Sequence, residues 1–130
     1  MLIKERTFSI VSPCYNERDN IKDCYEAVLE LFRNPLLSAY KREHIIVDDY
    51  STDGTRKILE EIAAADSSVK VIFNSRNYGV YRSACHGLKY VTGELVVPML
   101  PVDLQDPPEF IVQMLEKKLG EGVSVVYGRR

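Results

Sequence analysis

The chain has 130 residues, and its 17 Lys and Arg against 19 Asp and Glu leave a net charge of −2, without the cationic excess that binds a nucleic-acid backbone. Hydrophobic residues make up 45% and charged residues 28%, with only 7 Gly and 6 Pro, which excludes disordered, collagen-like and low-complexity classes. Cys14, Cys24 and Cys85 stand far apart with no C-x-x-C pair, so neither a disulfide scaffold nor a zinc knuckle is expected, and a reducing cytosol fits.

The amino terminus, MLIKERTFSI, breaks any apolar run with charge, and the longest apolar stretch, 95–102, contains Pro98 and Pro101. Neither a signal peptide nor a membrane span is expected. Near-continuous Ile, Val and Leu runs at 8–12, 44–48, 69–73, 95–99 and 123–127 predict strands buried on both faces. Between them, apolar residues recur at helical spacing: Ile21, Cys24, Val28 and Leu31, then Ile58, Leu59 and Ile62, then Tyr81, Ala84, Cys85 and Leu88, then Phe110, Ile111, Met114 and Leu115. In D-P-P-E, Asp106 is the expected cap of the last helix, with Pro107 at its first position and Glu109 in the capping-box place. Four β-α units and a fifth strand predict an α/β domain, a doubly wound, mostly parallel sheet with helices on both faces and with Ile10, Val47, Ile72 and Val97 in its interior.

In such a sheet ligands bind outside the carboxyl ends of the strands. The segments there are S-P-C-Y-N-E (12–17), D-D-Y-S-T-D-G-T (48–55), N-S-R-N-Y-G (74–79) and L-P-V-D-L-Q-D-P-P-E (100–109). Carboxylates from three loops are expected to meet at one crevice, where a hard cation bridging to a substrate phosphate would relieve their repulsion. The second segment also reads as a plain turn and helix cap, since Asp, Ser, Thr and Gly are turn formers. No G-x-G-x-x-G follows the first strand and no G-x-x-x-x-G-K-[ST] occurs, so dinucleotide-binding and P-loop readings lack their phosphate cradles. A phospho-receiver would need an acid where the third strand ends, and Asn74 stands there.

Taken together, these segments and V-V-Y-G-R-R (125–130) resemble the inverting family 2 glycosyltransferases of the GT-A fold, especially the dolichyl- and polyprenyl-phosphate sugar synthases. The resemblance implies that Pro13, Tyr15 and Glu17, with Asp49 or Asp48, contact the base and ribose of a nucleotide diphosphate sugar donor, and that Arg76, Asn77 and Arg130 also serve donor binding. It assigns Asp103 the central catalytic place and, with Gln105, the binding of Mg2+ or Mn2+ against the diphosphate. Two departures stand out. Where the family carries D-x-D, this chain has Pro101, Val102 and Asp103, so the first acid is missing. Family catalytic domains also continue past the fifth strand, so 1–130 is expected to be a single domain forming the donor-binding, amino-terminal half of a longer catalytic domain.

The implied reaction is transfer of the sugar to an acceptor oxygen with inversion, the acceptor being a polyprenyl phosphate or a saccharide. A phosphate acceptor is already largely ionised, its second pKa being about 6, and needs no general base. A catalytically silent nucleotide-sugar or protein-binding module of the same fold is the alternative. The expected setting is the cytoplasm, at the inner face of the membrane, with peripheral association of the full-length protein, no nucleic-acid partner, and a homodimer covering apolar surface of the half domain. All three cysteines are read as small core residues, and His44 and His86 as structural histidines.

Overall fold

The computed structural model describes residues 5–129. Their elements, in chain order, are β1 (Thr7–Cys14), α1 (Ile21–Leu31), α2 (Pro35–Ser38), β2 (Lys41–Asp48), α3 (Thr55–Ala65), β3 (Val69–Phe73), α4 (Val80–Leu88), β4 (Leu95–Val97) and α5 (Glu109–Glu121). The four strands form one parallel sheet in the order β3-β2-β1-β4. Register runs Thr7 to Lys41 through Cys14 to Asp48, with Phe8 opposite Leu95 and His44 opposite Val69. The alternating strand and helix periods therefore produce the expected α/β layers.

The two layers of helices are unequal. On one face, Phe8 and Ile10 pack with Val28, Leu31, Leu37, Ile111 and Leu115, drawn from α1, α2 and α5. Cys14, Ile46 and Val69 on the same face pack with Ile21 and Cys24 of α1 and Leu59 and Ile62 of α3. The other face, with Val11, Ile45 and Val47 at its centre, carries α4. That helix lies very close because Gly87 has no side chain: a Cβ there would come 2.6 Å from Val11 Cγ1 and 2.9 Å from Val47 Cγ2. Each fully buried Ile or Val contributes roughly 1.5–3 kcal/mol, and Ile10, Val11, Ile45, Ile46 and Val47 of the two central strands are all of this kind.

Several expectations need correction. Ile10 and Val47 are fully buried, but Ile72 and Val97 are only partly so, because β3 and β4 are the sheet's edges. The strand expected at 95–99 stops at Val97, just before Pro98, which lacks the donor needed to continue the ladder. Residues 123–127 form no strand; Val125 and Tyr127 are among the most exposed apolar residues, and the outer edge of β4 has no described strand paired to it. Helix α5 starts at Glu109 behind an N-cap at Pro108 without a side-chain cap bond, two residues after the Asp106 cap expected. Short α2 was not anticipated; Asn34 caps it by accepting from Leu36 N at 3.0 Å. Among the described residues no helix is long and apolar enough to cross a membrane.

Candidate functional site

Strand β1 lies between β2 and β4, and it is at such a reversal of strand order that a ligand crevice is expected outside the carboxyl ends. A cleft of about 190 Å³ occupies that place. Pro13 lines it from the end of β1, Tyr15 and Glu17 from the loop after it, Asp49 from the loop after β2, and Pro101 and Asp103 from the segment after β4; Val80, the first residue of α4, lines it too. Five of the residues singled out in the sequence thus share one cavity.

The first two loops are locked to each other. Asn16 N donates to Ser51 Oγ at 2.8 Å, Thr52 N to Asn16 Oδ1 at 2.8 Å, Glu17 N to Thr55 Oγ1 at 3.1 Å and Arg18 N to Asp53 Oδ2 at 3.2 Å. Asp53 also accepts from Thr55 N and Thr55 Oγ1. Burial by itself would raise the Asp53 carboxyl, but these donors hold it below its ordinary value. Ser51, Asp53 and Thr55 therefore do the turn-and-cap work that their composition allowed. All the non-glycine residues with positive φ among the described residues, Asn16 (51°), Tyr50 (68°) and Leu104 (56°), lie in these carboxyl-edge loops. Left-handed backbone costs about 1–2 kcal/mol in such residues, and the interloop hydrogen bonds offset it.

The two adjacent aspartates have different tasks. Asp48 is fully buried; it accepts from Ser51 N at 3.1 Å and from the Cys14 thiol at 3.8 Å, so its carboxylate shapes the turn beneath the cleft. Asp49 lines the cleft but spends its oxygens on the loop after β3: Tyr78 N at 2.7 Å and Asn74 Nδ2 at 3.0 Å on Oδ1, and Gly79 N at 2.8 Å on Oδ2. Burial pushes the Asp49 carboxyl up, and the three donors outweigh it, leaving it below its usual range. Asn74 extends the network by donating to Ser83 Oγ at 3.0 Å and meeting His86 Nδ1 at 3.0 Å. Asn77 Nδ2 donates to Asp49 O at 3.3 Å, and Arg76 stacks on Tyr78, 4.7 Å from the ring centroid. Neither Arg76 nor Asn77 lines the cleft. Arg130 lies outside the described residues.

Asp103 is exposed on the cleft wall. Its Oδ1 accepts from Gln105 N at 3.2 Å, the local turn bond expected of an Asp before a helix, and Gln105 itself is exposed and outside the cleft lining. Among the described residues no three His, Cys, Asp or Glu side chains are grouped as a metal cage. Glu17 Oε2 is taken by Asn20 Nδ2 at 2.7 Å, and Asp49 is occupied as described. The donor set therefore fits a hard cation only in one form, with Asp103 supplying a carboxylate oxygen and a bound diphosphate supplying others, which is a normal arrangement for Mg2+. Glu17, Asp49 and Asp103 thus meet at one crevice, as expected, though not as a ready-made metal cage.

Cys14 and Cys24 are buried, and burial raises both thiols, Cys24 to about 11, so neither is a nucleophile. Cys85 is exposed, contrary to the core role expected of it. His44 is fully buried against Ser12 Oγ at 2.9 Å, and desolvation lowers it to about 3, so it stays neutral. His86, anchored by Asn74, is the structural histidine expected. Sequence reading placed Asn74 at the carboxyl edge without giving it a role, and missed Ser83 and Val80 as parts of this region. Asn74 was visible as the polar residue ending β3, whereas Ser83 and Val80 carry no local signal.

Residues 9–130 match the family described as Glycosyl transferase family 2. The chain is 36% identical over 122 residues to the bactoprenol glucosyl transferase of Shigella phage SfX, covering 94% of this chain and 38% of that protein. It is 34% identical over 121 residues to the undecaprenyl-phosphate 4-deoxy-4-formamido-L-arabinose transferase of Klebsiella pneumoniae, covering 91% and 35% respectively. The mannosyltransferase PcManGT from Pyrobaculum calidifontis, solved in complex with GDP-Man and Mn2+, superposes with a TM-score of 0.70 at 21% identity, over 88% of this chain and 33% of that one, which establishes a shared fold. The chain spans little more than a third of the length of these curated relatives.

Proposed function

The chain belongs to glycosyl transferase family 2, and from that premise we propose that it is the donor-binding, amino-terminal half of a catalytic domain that moves a sugar from a nucleoside diphosphate to an acceptor oxygen with inversion. The observation that carries this reading is the gathering of Tyr15, Glu17, Asp49 and Asp103 around one cleft at the switch point of the sheet. Tyr15, about half exposed, offers a ring face for a nucleobase next to Pro13. Glu17 provides a carboxylate oxygen for ribose hydroxyls. Asp49 acts by holding the 74–79 loop in place, with Arg76 and Asn77 beside it; Arg130 belongs to the same donor set by its motif.

Asp103, with Gln105 next to it, would hold Mg2+ or Mn2+ together with the diphosphate oxygens, and the ion's chemistry there is neutralisation of charge on the leaving nucleoside diphosphate. Asp103 is the residue whose carboxylate faces that charge. The acceptor is a polyprenyl phosphate, supported by the names of the relatives above; an ionised phosphate oxygen attacks without a general base. The whole protein then works at the cytoplasmic face of a membrane. A non-catalytic nucleotide-sugar-binding module remains the second reading, favoured by Pro101 standing where the family places its first acid.

Calorimetry with UDP, GDP and dTDP, with and without Mg2+ or Mn2+, tests the donor reading. Binding to one diphosphate, tighter than to its monophosphate and strengthened by metal, is expected. No binding to any of the three at millimolar concentration would overturn it.

A further inference from the structure

A second cavity, of about 380 Å³, opens where β3 ends and α4 passes, and shares no lining residue with the cleft. Its chemistry is cationic. Arg82, His86 and Lys89 follow one another at helical spacing along α4 and its C-cap, and all three line the cavity. Among the described residues no carboxylate forms an ion pair with Arg82 or Lys89. Outside the lining, Arg56 lies 4.6 Å from the ring centroid of Phe73 and Arg76 4.7 Å from that of Tyr78, two residues of the wall. The Ser75 and Tyr78 hydroxyls, 3.3 Å apart, add donors to the same wall.

The imidazole is fixed rather than free. Asn74, 5% exposed, uses its amide nitrogen on Asp49 and Ser83, so its oxygen is the acceptor facing His86 Nδ1. Nδ1 then carries a hydrogen, and Nε2 is the ring atom left for a ligand. Three cationic or titratable nitrogen groups and two hydroxyls line this concavity, with no acid among its lining residues, a surface that favours an oxyanion.

We propose that this cavity is a binding site for a phosphate group. The Arg82 fork and the Lys89 ammonium take the phosphate oxygens, as such groups do wherever phosphate is recognised, and the Ser75 and Tyr78 hydroxyls donate beside them. The cavity exceeds what a bare phosphate fills, and the Phe73 ring provides apolar contact for an organic group attached to it. Two sources carry this chemistry, a soluble phosphorylated molecule and the headgroup of an anionic lipid. The site shares no lining residue with the donor cleft and is read at other residues, so its failure would leave the donor reading untouched.

The test is a titration of the isotopically labelled chain with inorganic phosphate, compared with chloride at equal ionic strength and pH, followed by NMR at the Ser75 and Tyr78 amides and the His86 ring nitrogens. Saturable shifts are expected there and not at Tyr15 or Asp103. Arg82→Gln combined with Lys89→Gln should weaken phosphate binding about tenfold or more, by removing two charge-assisted contacts, while Lys22→Gln, at an exposed position of α1, should not change it. Flotation with phosphatidylcholine vesicles, with and without phosphatidylglycerol, separates the sources: capture by the anionic vesicles that is lost in the double variant points to a lipid headgroup, and phosphate binding without capture points to a soluble ligand. Shifts that never saturate, or that are the same in the double variant, would overturn the proposal.

Discussion

Glu43→Gln is the sharpest probe of how the sheet holds the chain that leads to the cleft. Glu43 is 5% exposed and its carboxylate collects four donors: Ser9 Oγ at 2.7 Å and Thr92 N at 2.8 Å on Oε1, with Thr92 Oγ1 at 2.7 Å and Lys70 Nζ at 2.6 Å on Oε2. Gly93 N donates to Ser9 Oγ at 2.9 Å, so this one carboxylate and its neighbour pin the connection between α4 and β4 to the sheet. Burial pushes Glu43 up, but Lys70, Ser9 and Thr92 together outweigh it and bring it from 4.5 to about 2. That difference corresponds to stability on the order of 3 kcal/mol at neutral pH. Because the folded value lies below the unfolded one, the contribution is complete above about pH 4.5 and is lost as pH falls through about 2. The variant keeps the shape of the side chain but not its charge, and turns a donor toward donors. Urea unfolding of wild type and variant from pH 7 downward should show a gap on the order of 3 kcal/mol at neutral pH that narrows steadily below about pH 4.5. A gap that stays constant over this range, or one below about 1 kcal/mol at pH 7, would refute the electrostatic account.

Asp49→Ala leaves two backbone N–H groups and the Asn74 amide without their acceptor, so a loss of about 2–4 kcal/mol and faster hydrogen exchange at Tyr78 and Gly79 are expected. Asp103→Asn should change thermal stability by less than about 0.5 kcal/mol, because Asp103 is exposed, and should abolish the metal dependence of nucleotide binding measured by calorimetry. Gly87→Ala sets a helix gain of about 1 kcal/mol against overpacking of about 1–3 kcal/mol, and contact with the stiff, buried Val11 and Val47 methyls decides for net destabilisation in denaturant unfolding.

The sequence by itself determined the alternation of strands and helices and the segments that end up at the carboxyl edge. Both are local: a run such as Ile45, Ile46 and Val47 can be buried on two faces only in a covered sheet, and the turn formers of 48–55 follow it directly. The family resemblance rested on the same contiguous segments, and for that reason was legible. Strand order was not, because hydrophobic periodicity does not say which neighbour a strand takes, and that order alone puts the switch point between β1 and β4. It also makes β3 and β4 edges, which leaves Ile72 and Val97 only partly covered. The same limit applies to the aspartates. Asp48 and Asp49 are adjacent in sequence and chemically identical, yet the pleat turns one into the sheet's interior and the other toward donors from a loop some thirty residues on, as the Asp49 to Gly79 bond shows. The fifth run, 123–127, carries a strand's composition but forms none, although residues 124–127 share a cavity with the edge strand β4: composition sets a propensity, and only tertiary structure decides whether pairing follows.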